Sequence, residues 1–182
     1  MIDWDKAQAE IDAAAAGILD KHEGDHFIRM IQRDGPQICV SPHPTYPRTL
    51  QKGIVHIVGG HARLYVLSMD RPDSRDAVDI DADLFARWKA IQEYDHPVEK
   101  MVTVPHVRVA PSYRGEKKGW DIMKSVIHTY MDSHVLFVVD PRPSNHHDMG
   151  DYREYWTSFG FYPHDTVPDP FLILDTSFQH GI

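Results

Sequence analysis

The chain has 182 residues, 42% hydrophobic and 25% charged, the make-up of a soluble globular domain long enough to bury a core. Its formal charge of −8 argues against broad binding to nucleic acid or a membrane surface. The single cysteine, Cys39, excludes an internal disulfide framework and a cysteine zinc site. No run is apolar for long enough to span a bilayer, and the first residues lack the basic-then-apolar form of a signal peptide, so the expected location is cytoplasmic. There are no internal repeats and no linker, and residues 1–182 are expected to form one domain.

In chain order, Asp3 can cap a helix with Ala7, Ile11, Ala14, Ala15 and Ile18 at helical spacing, ended by Gly24. Residues 27–32 and 37–41 read as strands around the turn signal Asp34-Gly35. The three prolines of 41–48, SPHPTYPR, exclude regular structure. Residues 53–58 and 62–69 are strands joined through Gly59-Gly60. Leu64 and Val66 share one face and Tyr65 and Leu67 the other, so the second strand is expected to be covered on both sides. The acidic stretch 70–83 reads as a solvated loop. Asp83 is the expected cap of a helix carrying Leu84, Trp88 and Ile91, stopped by His96-Pro97.

The run 101–109 reads as a strand whose parity slips: Val102 and Val104 are even, Val107 and Val109 odd. Such a slip means a bulge or a break. A cationic glycine loop follows Pro111, with Arg114, Gly115, Glu116, Lys117, Lys118 and Gly119. A helix comes next, with Ile122, Met123, Val126, Ile127 and Tyr130 on one face. Strand, cationic glycine loop and helix together make an anion site: glycine admits close approach, and the first helical amides point at the ligand. Pyrophosphate suits it. A nucleotide P-loop fits less well, because no Gly-Lys-Ser/Thr follows a four-residue spacer.

The apolar run 134–139 fits a buried parallel strand, which makes the preceding helix an α/β crossover. Residues 140–145 are a loop and 148–158 a helix that brings Tyr152, Tyr155, Trp156 and Phe159 close together. Phe159-Gly160-Phe161 turns into a strand, and 170–175 is the last one. His146-His147-Asp148 lacks a second pair at ligand spacing, and no metal is expected.

The order V-x-V-x-P-x-Y-R-G-x-x-x-G over 107–119 resembles the acyl-CoA signature of the GNAT superfamily of N-acetyltransferases. The later run E-Y-W-T-S-F-G-F resembles that family's second signature. The resemblance covers roughly 101–175. It implies an α/β fold: a twisted mixed sheet flanked by helices, splayed at the strand before the glycine loop. It also implies acetyl-CoA, or another acyl-CoA, as co-substrate and an amine as acceptor. Two positions depart from the pattern. Lys117 stands where the family usually has Gly or Ala, and Trp156 where many members have a tyrosine acid. Residues 1–100 do not follow the family's usual entry, and that half normally builds the acceptor site.

By the resemblance, Arg114–Gly119 would hold the pyrophosphate, with Glu116 inside that loop. The main chain of Val107 and Val109 would pair with the pantetheine arm. Direct transfer also needs a base and an acid. His106, beside the suspected bulge, and Asp140, at the carboxyl end of the next strand, are the candidate bases. Tyr155 is the candidate acid, with Tyr152 as an alternative, and Trp156 is expected against the thiol end of CoA. Each has a plainer reading: a packed histidine, a loop-capping carboxylate, core aromatics. A small-molecule or protein amine is the expected acceptor. The alternatives are a nucleic-acid base, which the net charge opposes, and a binding protein that has lost catalysis. A homodimer is compatible with the sequence; a membrane partner is not expected.

Overall fold

A computed structural model describes residues 36–131, 134–142 and 152–177. The expected helix behind Asp3, the strand at 27–32, the Asp34-Gly35 turn and the pair His146-His147 lie outside them. The fold is mixed α/β. Among the described residues one seven-stranded sheet runs in the order β1-β2-β3-β4-β6-β7, with β5 paired to β3 alone. Its strands are β1 (Gln37–Pro42), β2 (Leu50–Ile57), β3 (Gly60–Ser68), β4 (Lys100–Thr103), β5 (Val107–Val109), β6 (Val135–Val139) and β7 (Leu172–Asp175). Every pairing is antiparallel except β4 with β6, which is parallel. A parallel pair needs a crossover, and α3 (Lys118–Tyr130) supplies it.

Alternation along the strands builds two apolar layers. Leu64 and Val66 of β3 join Val55, Ile57, Ile122, Met123, Val126, Phe137 and Trp156 beneath α3. Tyr65 and Leu67 join Leu50, Met101, Leu136 and Ile173 on the opposite face. The strand is thus covered on both sides, as its doubly apolar pattern predicts. Two short helices cover that second face: α1 (Ser74–Val78) and α2 (Ala82–Ala90).

Helix α1 corrects the expectation of a solvated loop at 70–83. Ala77 and Val78 are fully buried there, between exposed acids. Asp81, not Asp83, caps α2: its Oδ1 accepts from Leu84 N at 3.0 Å. Asp83 is the second residue of the helix and faces Arg87, 3.8 Å away. Helix α2 ends at Ala90, ahead of His96-Pro97. The strand expected at 53–58 begins earlier, at Leu50, and the hairpin turns tightly at Gly59, whose φ of 84° suits glycine. The described part of the last helix, α4 (Arg153–Thr157), is one short turn and a half behind Tyr152. After it, 161–162 contribute only an isolated bridge from Tyr162 to Ile173.

Candidate active site

The parity slip is a break in the strand. Thr103 lies opposite Tyr65, and Val107 opposite Ala62. Val104, Pro105 and His106 therefore face only Arg63 and Leu64, one residue in excess. Pro105 has no N–H for the ladder, and the strand restarts in the other phase.

The restart changes which backbone groups are free to bind something else. Arg63 N donates to His106 O at 3.1 Å, and Ala110 N donates to Gly59 O at 2.8 Å. In an antiparallel ladder the bonded residues alternate. Residues 106, 108 and 110 thus spend their main chain on β3. The N–H and C=O groups of Val107 and Val109 point the other way, toward the side where β6 lies. There β6 pairs only with Lys100–Val102 of β4. One further link closes the fork: Thr103 Oγ1 donates to Val138 O at 2.8 Å, wholly buried. Beyond Thr103 the sheet is split, with β5 on one bank and the end of β6 on the other.

Helix α3 starts at the mouth of this split. A 3₁₀ turn, Pro111–Tyr113, leads into it. The Tyr113 ring lies against Gly59, so close that a Cβ there would sit 2.3 Å from it. Gly115 has φ 90° and open space where a side chain would be. Lys117 also takes a left-handed conformation, φ 58°, at the cap position and makes no side-chain cap. A glycine is favoured at such a residue, which gives a physical meaning to the departure noted at Lys117. The first i→i−4 bond is Asp121 N to Lys117 O, 2.9 Å. The amides of Lys118, Gly119 and Trp120 precede it and are the outward-facing donors of the helix start. Arg114 and Lys117 are exposed beside them. Lys118 lies 3.9 Å from Glu116 and 5.7 Å from the centre of the Tyr113 ring.

Gly119 lies in the first turn of the helix and has a packing role. A Cβ on it would lie 3.2 Å from the Tyr155 hydroxyl and 3.7 Å from Val107 and Val109 side chains. Small size here lets α3 close onto β5 and lets Tyr155 donate to Gly119 O at 2.8 Å. Tyr155 thus stands beside β5. Burial raises its pKa well above the usual phenol range, so it keeps its proton near neutrality. Trp156, expected at the cofactor, is 6% exposed and enclosed by Tyr155, Phe159 and Phe161. What the structure gives it is a core role.

The two candidate bases differ. His106, half-buried in the break, has a buried Nδ1 with no hydrogen-bond partner. Burial, then Arg108 and Arg63, hold its pKa below the ordinary value, so the ring is neutral and able to accept a proton. Asp140, at the end of β6, is clamped by Arg142 through Nε at 3.0 Å and Nη2 at 2.7 Å. Burial pushes its pKa up, but the Arg142 bonds outweigh this and leave it below the usual carboxylate value. That makes it a weak base and a loop clamp. Thr103, which closes the fork, was not singled out by sequence, and neither were Arg63 and Arg108 beside His106. A threonine at the end of an apolar strand is the only signal the first one leaves.

Among the described residues no cluster of His, Cys, Asp or Glu could hold a metal ion, and no helix is long and apolar enough to cross a membrane. No protein-family profile matches the chain, and no curated protein matches it in sequence. Solved structures do resemble it. One is described as AtaTR bound with AcCoA, at a TM-score of 0.39 and 16% identity over 71% of this chain and 72% of that one. Another is AtaT complexed with acetyl-methionyl-tRNAfMet, at 0.38 and 15% over 73% and 75%. Values this low carry no function across.

Proposed function

We propose that the chain is an acyl-CoA-dependent N-acyltransferase of GNAT type, moving an acetyl or similar acyl group to an amine. The observation that carries this reading is the split between β5 and β6, with the main-chain groups of Val107 and Val109 facing it and the start of α3 at its mouth. The fit is chemical. A pyrophosphate meets the amides of Lys118, Gly119 and Trp120 and the cations Arg114 and Lys117. An amide-bearing arm meets a strand edge that lacks its next strand. Open space at Gly115 leaves the loop accessible.

Bound there, acyl-CoA supplies a thioester. An amide of β5 is a fixed donor toward its carbonyl oxygen, where negative charge develops. His106 takes the proton that the attacking amine loses. The N–C bond forms, the C–S bond breaks, and that proton ends on the thiol. Tyr155, kept protonated and bonded to Gly119 O, orders the first turn of α3 against β5. A thiol of reference pKa ~8.5 leaves readily near neutral pH, so little acid catalysis is demanded of the phenol.

The test is calorimetry with CoA, followed by an amine screen with acetyl-CoA. Binding that is lost in Gly115→Asp, together with turnover of some amine, is the expected result. No CoA binding by the folded protein would sink the reading. Binding without turnover of any amine would favour a GNAT-shaped binding protein, to which Lys117 and Trp156 already point.

A further inference from the structure

The split has an inner end, and the reading above gives the donor's acyl chain no place in it. Direction comes first. In that reading the pyrophosphate meets the first amides of α3, and α3 follows the Val109 end of β5. The arm therefore runs along β5 from Val109 to Val107. Its thioester lies innermost, and the acyl chain points on toward Thr103. Register sets the distance. Val107 lies opposite Ala62 and Thr103 opposite Tyr65. Three steps of β3 separate them, about 10 Å at the usual rise of a strand. The thioester, the attacking amine and the acyl chain must share that length.

A side chain closes the inner end. The ladder between β4 and β6 stops at Val102 opposite Phe137. At the next step the link is made by Thr103 Oγ1, which donates to Val138 O at 2.8 Å. Thr103 and Val138 are wholly buried. Cross-strand partners share a face, so the Thr103 side chain lies on the Tyr65 side of the sheet. On the α3 side Val104, Phe137, Val139 and Trp156 fill one apolar layer, none more than 6% exposed. Both sides of the inner end are thus occupied, and interiors packed to crystal density hold little spare volume. The wall is also stiff. Threonine branches at Cβ and has few rotamers. Swinging it aside would strand the buried Val138 carbonyl without its donor.

We propose that Thr103 is the back wall of the acyl site and restricts the donor to acetyl-CoA, excluding propionyl and longer chains. This rests on the acyltransferase reading and adds to it the length of the acyl group and the residue that sets it. The methyl and hydroxyl of one side chain do both jobs: the hydroxyl ties β4 to β6, and the bulk of the branched Cβ ends the site.

The test is calorimetry with CoA, acetyl-CoA, propionyl-CoA and butanoyl-CoA, which needs neither an acceptor nor turnover. Acetyl-CoA should bind at least as tightly as CoA. Propionyl-CoA should bind roughly 10- to 200-fold more weakly than acetyl-CoA, the usual effect of one methylene in a shaped pocket, and butanoyl-CoA more weakly still. The ratio of acetyl- to propionyl-CoA affinity is then read within each of three variants, so that a general loss of affinity cancels. Thr103→Ala removes methyl and hydroxyl and should bring the two affinities close together. Thr103→Ser keeps the bond to Val138 O, should give an intermediate ratio, and is read in place of Thr103→Ala if that variant does not fold. Thr103→Val keeps the bulk without the hydroxyl and should discriminate as the parent does. Butanoyl-CoA bound by the parent as tightly as acetyl-CoA overturns the proposal. So does a ratio unchanged in both Thr103→Ala and Thr103→Ser, or one relaxed by Thr103→Val as much as by Thr103→Ala, since the bond and not the bulk would then be responsible. Equal binding of every thioester would leave the acyltransferase reading standing, whereas binding of none would remove that reading together with the wall.

Discussion

Strands β4 and β5 are two halves of one stretch of chain, and they have opposite fates. β4 lies between β3 and β6, and Met101, Val102 and Thr103 are fully buried. Among the described residues β5 has a partner on one side only, and its three residues are half-buried. One excess residue and one proline separate them. The lesson concerns where a sheet can hold a binding edge. Backbone donors and acceptors are obligatory, and a strand that leaves one side unpaired must give that side to water or to a ligand. β4 spends its hydrogen bonds on stability, and β5 holds half of them back.

Hydrogen exchange should expose this contrast most strongly. Amides of Met101 and Val102 should exchange only through global opening, and those of Val107 and Val109 far faster, by at least on the order of 10³-fold. Added CoA should slow Val107 and Val109 alone. Equal protection of both halves without ligand would erase the distinction. Next in size is Phe137→Ala, beside Val102 in register and fully buried. Chemical denaturation should show a loss of about 3–5 kcal/mol, against about 1 kcal/mol for Val107→Ala in the half-buried strand.

Arg114→Ala should leave the fold intact and weaken CoA binding by about 1.5–3 kcal/mol in calorimetry, the scale of a charge-assisted bond. Unchanged affinity would remove this residue from the site. Acid tests the β5 neighbourhood more gently. His61 is held from 6.5 down to about 4, chiefly by burial, then by His56 and Arg108. The unfolded chain therefore takes up the proton first as pH falls. Stability from the neutral ring is complete above 6.5 and is lost progressively toward about pH 4. The denaturation midpoint should fall across that window, and His61→Asn should flatten the slope. The smallest effect belongs to Lys117→Gly. Relief of the left-handed residue should raise stability by up to about 1 kcal/mol, and CoA affinity should fall slightly with the lost charge.

Much of this could be read from sequence because it is local. The slip from Val102 and Val104 to Val107 and Val109 is written in consecutive residues, and so are the glycine loop and the apolar stripe of α3. What escaped depends on register or on context. Helix α1 was hidden because Ala77 and Val78 are its only buried apolar residues in an acidic stretch. Asp81 and Asp83 are equally good caps on paper, and only the start of the helix decides between them. Trp156 was placed by its motif against the thiol end of CoA, and a position in a motif does not reveal burial. The neighbourhood of His61, Arg63, His106 and Arg108 spans two strands more than forty positions apart, and no local pattern announces it.

The parallel pairing at the fork also has a consequence in time. Lys100–Val102 meet Val135–Phe137 only after all of α3 has been laid across the sheet. Hairpins such as β2–β3 close in microseconds, whereas pairings distant in sequence await the closure of a long loop. The cleft between β5 and β6 should therefore be among the last features to mature during folding, and competence to bind CoA should lag behind most secondary structure. In pulse-labelled refolding, protection at Val102 and Phe137 should rise together with recovered CoA binding and after protection at Val55 and Leu64. Recovery of binding before Val102 is protected would show that the cleft can form without its fork.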